Sequence, residues 1–218
     1  MNPRPLLLLL AALPAVSHAA GIVARAGTTG IGGDVGWELV PTLNARLGYS
    51  ALNFNRNLDS GNVHYDGKVK LSNLSGLLDW SPLGPFRFTG GLVYNDNRYN
   101  VNAQPAANST FTFNDHTYQA SDVGSASGTV RAGRRVAPYL GVGYGNVAGA
   151  GVNFFFDLGI MFQGSPKATL NTTCSPSLSA SQCSQLQTDT AEEARRLEDK
   201  LSRYKYYPVA NFGVTIGF

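Results

Sequence analysis

The chain has 218 residues, carries 17 Lys and Arg against 14 Asp and Glu, and is only 14% charged while holding 25 Gly, 10 Tyr and 11 Phe. So weak a charge balance, without basic runs, argues against a nucleic-acid partner. The length fits one domain, and after the first residues no apolar run approaches the ~18 residues of a membrane helix, so any membrane crossing must be by strands.

Arg4 precedes an apolar run from Leu6 to Val16, with Ser17 and Ala19 placed for cleavage. Residues 1–19 therefore read as a secretory signal peptide and 20–218 as the exported domain. Alternating segments follow. "TTGIGGDVGWEL" sets Ile31, Val35, Trp37 and Leu39 against Gly30, Gly32, Asp34, Gly36 and Glu38. "LNARLGYSA" sets Leu43, Ala45, Leu47, Tyr49 and Ala51 against Asn44, Arg46, Gly48 and Ser50. This period of two marks strands with one apolar face. A long strand spans about Val63 to Trp80, and its apolar set changes phase near Ser72 and Asn73, which predicts a β-bulge there. "FRFTGGLVYN", "VAPYLGVGYG", "GVNFFFDLGIMFQ" and "YYPVANFGVTIGF" alternate in the same way. In the polar stretch from Asp96 to Ser121, "FTFNDHTYQ" reads as a small hairpin turning at Asn114 and Asp115.

From Gln185 to Tyr204 the period changes to helical, through Leu186, Ala194, Leu197, Leu201 and Tyr204. Thr188 or Asp189 is the expected cap, with Glu192 to Arg196 and Asp199 to Arg203 as i,i+4 pairs. Cys174 and Cys183 lie just before and at the edge of this stretch. In an exported chain they read as one disulfide; a metal site would need ligands that two thiols do not supply.

The faces opposite the apolar ones are crowded with Gly, Ser, Thr and charges of both signs, and aromatics mark strand ends: Trp37, Tyr49, Trp80, Phe86, Tyr94, Tyr144 and Tyr206. A soluble sandwich would bury its apolar faces. An apolar outer band with aromatic girdles and a small polar interior instead fits an all-β, closed antiparallel transmembrane β-barrel. Seven strands are read directly, and "AGIVARAG" before the turn at Gly27 to Gly30 supplies a short eighth, giving the even count of bacterial barrels. Short connections at 40–42, 81–85 and 146–149 fall on the periplasmic side; loops near 55–62, 96–122 and 165–204 fall outside, the last with disulfide and helix. By the alternation, Asp34, Glu38, Arg46, Lys70, Asp79, Arg87 and Asp157 point inward, a lumen charge network and candidate solute path.

"ARAGTTGIGG", "APYLGVGYG", "GSPK" and "YYPVANFGV" resemble small Gram-negative outer-membrane proteins of the ornithine-uptake, carbapenem-resistance-associated type. The resemblance implies residence in the bacterial outer membrane, contact with its lipid, and amino-acid-like solutes. It also implies that the terminal aromatic strand, with Tyr206, Phe212, Val214, Ile216 and Phe218, is read as an assembly signal by the barrel-insertion machinery. Two function classes follow: a narrow conduit for small solutes such as amino acids, or a structural or surface-interaction barrel with a side-chain-filled lumen and functional extracellular loops. An enzyme is not expected, because His64 and His116 are the only histidines outside the leader and no Ser sits in a strained, glycine-flanked setting. No cofactor motif or metal cluster is read.

Overall fold

A computed structural model describes residues 19–60, 63–105 and 110–218. The signal peptide read over 1–19 falls, but for Ala19, outside the described residues, as does the His64 side chain. Thr28 and Thr29 form a two-residue turn between β1 (Ala20–Gly27) and β2 (Gly30–Val40), with Gly30 at φ +106°. That left-handed backbone is open to glycine without a Cβ clash. Next come β3 (Leu43–Ser60), β4 (Val63–Leu83), β5 (Phe86–Asn95), β6 (Arg98–Pro105), β7 (Thr110–Phe113), β8 (His116–Gln119) and β9 (Val123–Arg131). β10 (Val136–Tyr144), β11 (Gly151–Met161), β12 (Lys167–Cys174), the helix α1 (Ala180–Leu201) and β13 (Tyr207–Gly217) complete the described chain.

Eight strands close a ring in the order β1, β2, β3, β4, β5, β10, β11, β13, each antiparallel to its neighbours. The eighth strand read from "AGIVARAG" is β1, and it makes the closure. Gly21 stands opposite Gly217, and Ala20 and Phe218 exchange backbone bonds of 3.0 and 2.9 Å. Closure removes sheet edges, the condition for strands to survive in lipid. Ile22, Ile31, Leu47, Leu78, Phe88, Leu140, Phe154 and Phe212 project outward and are exposed, as a lipid-facing band requires. The seven expected girdle aromatics are all exposed with them.

Above the ring one wall is taller than the other. β5 and β6 pair with β4 in one register, from Asn73 opposite Asn95 to Lys70 opposite Arg98, so β6 continues β5 across Asp96 and Asn97. β9 pairs with β6, and β12 with β9, extending the same wall upward. Much of the chain expected as outer loops, near 55–62, 96–122 and 165–204, is therefore strand. The bulge expected near Ser72 and Asn73 is corrected too, since β3 and β4 pair without a shift from Leu43 opposite Trp80 to Ser60 opposite Val63. The phase changes because the surroundings change. In the membrane the outward residues Leu74, Leu78 and Trp80 meet lipid; higher up, Leu71 and Val69 lie on the inner side, with Leu71 buried.

The free edge of β12 is covered by α1, where the backbone N–H of Ala168 donates to Glu198 Oε1 at 3.0 Å. This prevents an exposed edge from pairing with another chain. The helix begins earlier than its apolar stripe: Ser179 is the N-cap in a capping box with Gln182, not Thr188 or Asp189. The Cys174–Cys183 disulfide ties the end of β12 to the first turn of the helix. Arg196 pairs with Asp115 at 2.8 Å rather than with Glu192, which binds Arg195, and Arg203 lies beyond the helix end. Asn114 and Asp115, at φ 49° and 67°, turn the β7–β8 hairpin where the sequence placed it.

Candidate functional site

Three arginines and three aspartates fill the lumen. From near the Leu43 end of β3, Arg46 reaches three carboxylates, with Nε 3.0 Å from Asp79 Oδ2, Nη1 2.9 Å from Asp157 Oδ2 and 3.6 Å from Asp34 Oδ2. On the β1–β2 side Arg25 Nε donates to Asp34 Oδ1 at 2.8 Å. On the periplasmic side Arg87 Nη2 donates to Asp157 Oδ1 at 2.5 Å, and its Nη1 donates to the Gly145 carbonyl. Thr89 Oγ1 donates to Asp79 Oδ1 at 2.6 Å. The ring of Phe155 lies under both guanidiniums, 5.9 Å from Arg46 and 5.3 Å from Arg87. All six charged side chains are at most 5% exposed. Charges so deeply withdrawn from water persist because each has an opposite charge within reach.

Of the residues read as inward, Asp34, Arg46, Asp79, Arg87 and Asp157 lie in one connected set of ion pairs. Glu38 lies on the same inward face toward the periplasmic end, half-buried, and forms no ion pair among the described residues. Lys70 is corrected: it shares the outward phase of Leu74 and Leu78, its side chain is 51% exposed, and it sits 3.9 Å from Asp96 above the ring. Arg25 was missed. Its strand is read as the short eighth without an inward face being assigned, yet the alternation of Ile22, Ala24 and Ala26 with Val23 and Arg25 carries the signal.

Both ends of the lumen are narrowed by turns that fold inward. At the outer end the Thr29 carbonyl accepts from Ser50 Oγ at 3.1 Å and Asn73 Nδ2 at 3.2 Å, while its hydroxyl donates to Asn211 Oδ1 at 3.1 Å. At the periplasmic end the turn after β10 buries Val147 and Ala148 with Val23 and Phe155. A side chain at Gly36 would meet the Val147 carbonyl at 2.4 Å, which explains the bare position there. Val93, Ala137, Tyr139, Met161 and Val209 form an apolar cluster within the barrel. The space left among Arg25, Asp34, Arg46, Asn73, Asp157 and Asn211 is a cavity of about 30 Å³. That admits one or two waters.

A closed ring of eight antiparallel strands, apolar and girdled outside, polar and paired inside, defines an outer-membrane β-barrel protein. No known protein-family profile and no curated protein matches the chain. Its fold is similar to two crystal structures from Acinetobacter baumannii. One is CarO, 25% identical with a TM-score of 0.60 over 91% of this chain and 97% of that one. The other is CarO2, 21% identical with a TM-score of 0.60 over 92% and 98%. The chain thus has the architecture of the carbapenem-resistance-associated type that its glycine-rich motifs resemble, and its place is the bacterial outer membrane.

Proposed function

We propose that the protein is a structural, surface-presenting barrel whose lumen is closed by its own side chains and whose function lies in the module above the membrane. One observation carries this reading: Arg25, Arg46 and Arg87 interlock with Asp34, Asp79 and Asp157 around a cavity of only about 30 Å³. Eight strands make an interior just wide enough for side chains to fill. A conduit for amino-acid-like solutes would require Arg46 and Arg87 to leave several carboxylates at once. Liposomes containing the purified protein are expected to swell no faster than protein-free ones in ornithine, arginine, glutamate or glycine, whereas Arg87→Ala should admit glycine by clearing the periplasmic half. Rapid swelling of the unmodified protein in ornithine and arginine would return the function to the lumen.

The same reading makes the terminal strand an assembly signal recognised by the insertion machinery. Phe218 supports it doubly, presenting an aromatic ring to lipid and sealing the ring through Ala20. Deleting Phe218 should reduce the heat-modifiable folded form in outer-membrane fractions by at least half while export continues. Normal amounts of folded protein would remove that role.

A further inference from the structure

Residues directly opposite one another on paired strands share a face of the sheet. Four cations are aligned in this way above the barrel. Lys70 of β4 stands opposite Arg98 of β6, Arg98 opposite Arg131 of β9, and Arg131 opposite Lys167 of β12. The row faces away from the barrel axis, since neighbouring Leu71 points inward and is buried. Like charges placed directly opposite weaken a sheet. Two carboxylates offset part of this charge: Asp96 lies 2.9 Å from Arg98 and 3.9 Å from Lys70, and Glu198 lies 3.5 Å from Lys167. Arg131 is exposed and has no ion-pair partner among the described residues. Four cations against two anions leave the row in need of an external anion.

Position says which anion. Arg98 lies four residues beyond Tyr94, the last lipid-facing aromatic of β5. That is about 13 Å of strand, or roughly 10 Å along the membrane normal at the usual barrel tilt. Long basic side chains from this height reach the outer headgroup layer. Below the β4 and β6 end of the row, on β3, β4 and β5, the last of which β6 continues, the outer wall is hollowed into a groove of about 510 Å³ lined by Leu47, Leu74, Gly76, Leu78, Leu92 and Tyr94. A Cβ at Gly76 would meet nothing within 4 Å, so the hollow is open to lipid. The row two residues higher is uncharged on three of its strands: Asn100, Thr129 and Thr169 stand in register, with Thr129 Oγ1 donating to Asn100 Oδ1 at 2.9 Å.

We propose that this wall binds a phosphorylated glycolipid of the outer leaflet. The cations hold its phosphates, the Asn and Thr row meets sugar hydroxyls, and an acyl chain lies in the groove. The binding relieves the repulsion within the row and anchors the tall wall to the membrane surface.

The test uses the folded full-length protein in neutral detergent, titrated with diphosphorylated lipid A and followed by native mass spectrometry. Saturable binding is expected. Arg98→Ala with Arg131→Ala should weaken it on the order of twentyfold, at about fivefold per charge. Arg131→Lys should retain most of it. Should the double variant fail to fold, the unmodified protein still decides: binding must fall with added salt, with removal of the lipid phosphates, and with removal of the acyl chains. Displacement by millimolar inorganic phosphate would reduce the row to a simple anion site and overturn the lipid reading. Equal affinity in the unmodified and doubly substituted proteins would overturn it as well. So would an absence of lipid binding, which would leave the row to a soluble anionic partner.

Discussion

Arg46→Ala is expected to lower the temperature at which the folded barrel is lost by on the order of 10 °C, read as the disappearance of the fast-migrating band in unboiled gels. Among the described residues, Arg46 alone pairs with all three lumen aspartates. Without it, Asp79 and Asp157 keep Arg87, and Asp34 keeps Arg25, so three carboxylates share two cations where water cannot enter in bulk. Breaking a buried ion pair by removing one partner costs about 3–5 kcal/mol, because the remaining charge is stranded. For a chain of this length each kcal/mol moves the midpoint by roughly 2–4 °C. Arg46→Lys keeps the charge but lacks the planar fork that reaches several carboxylates, and it should fall between the two. A variant as heat-resistant as the unmodified protein would mean that the network contributes little to stability and that the backbone ring holds alone.

The eight barrel strands were legible because each keeps one face in lipid and the other in a crowded lumen, so a strict period of two is imposed over many residues. Even the shortest of them, β1, shows it through Ile22, Ala24 and Ala26. Above the membrane this constraint disappears. β6, β9 and β12 read "RYNVNAQP", "VGSASGTVR" and "KATLNTTC", short and polar, and they pair because β5, β10 and β11 deliver them side by side. Register inherited from a neighbouring strand leaves little trace in local composition. Lys70 failed for the same reason. Reading Lys70 as inward sets it against Val63, Tyr65, Val69 and Leu71 as the outward face, whereas its direction follows from Leu74 and Leu78 below, since the strand runs without a bulge.

At the lumen, alternation supplied the direction of Asp34, Arg46, Asp79, Arg87 and Asp157, but no one-dimensional pattern tells which arginine reaches which carboxylate. Gly48 illustrates the gap. A Cβ there would fall 1.6 Å from Asp34 Oδ1, so this glycine makes room for a charge on the adjacent strand, fourteen residues earlier in sequence. The inward folds of Thr28–Thr29 and of Val147 were equally hidden. Short turns in a barrel sequence announce a reversal of the chain and say nothing of whether the reversal caps the lumen.

The module above the membrane should come apart at one residue. Asp189→Ala is expected to release the β7–β8 hairpin from the helix, raising amide exchange over residues 110–119 while the barrel remains folded. Asp189 was read as a helix cap, yet it lies mid-helix with its side chain 1% exposed. It accepts from Tyr118 Oη at 2.5 Å, from Asn114 Nδ2 at 3.0 Å and from Gln185 Nε2 at 3.2 Å, and it meets His116 Nδ1 at 2.8 Å. Three of these four partners belong to the hairpin. The Tyr118 and Asn114 hydrogen bonds hold the carboxyl well below the usual carboxylate range, and the Tyr118 phenol, through burial and then the facing carboxylate, is pushed up to about 12. A carboxyl depressed in this way contributes fully above its unfolded value of about 3.9 and loses that contribution as pH falls toward the folded one. Protection of the hairpin by this carboxylate should therefore begin to fail only below about pH 4. Hydrogen bonds to a charged acceptor are worth about 1.5–3 kcal/mol each, so losing the acceptor of three should raise exchange at least tenfold. Asp189→Asn keeps the shape but not the charge and should show a smaller rise. Unchanged exchange in Asp189→Ala would assign the docking to Arg196 with Asp115 instead.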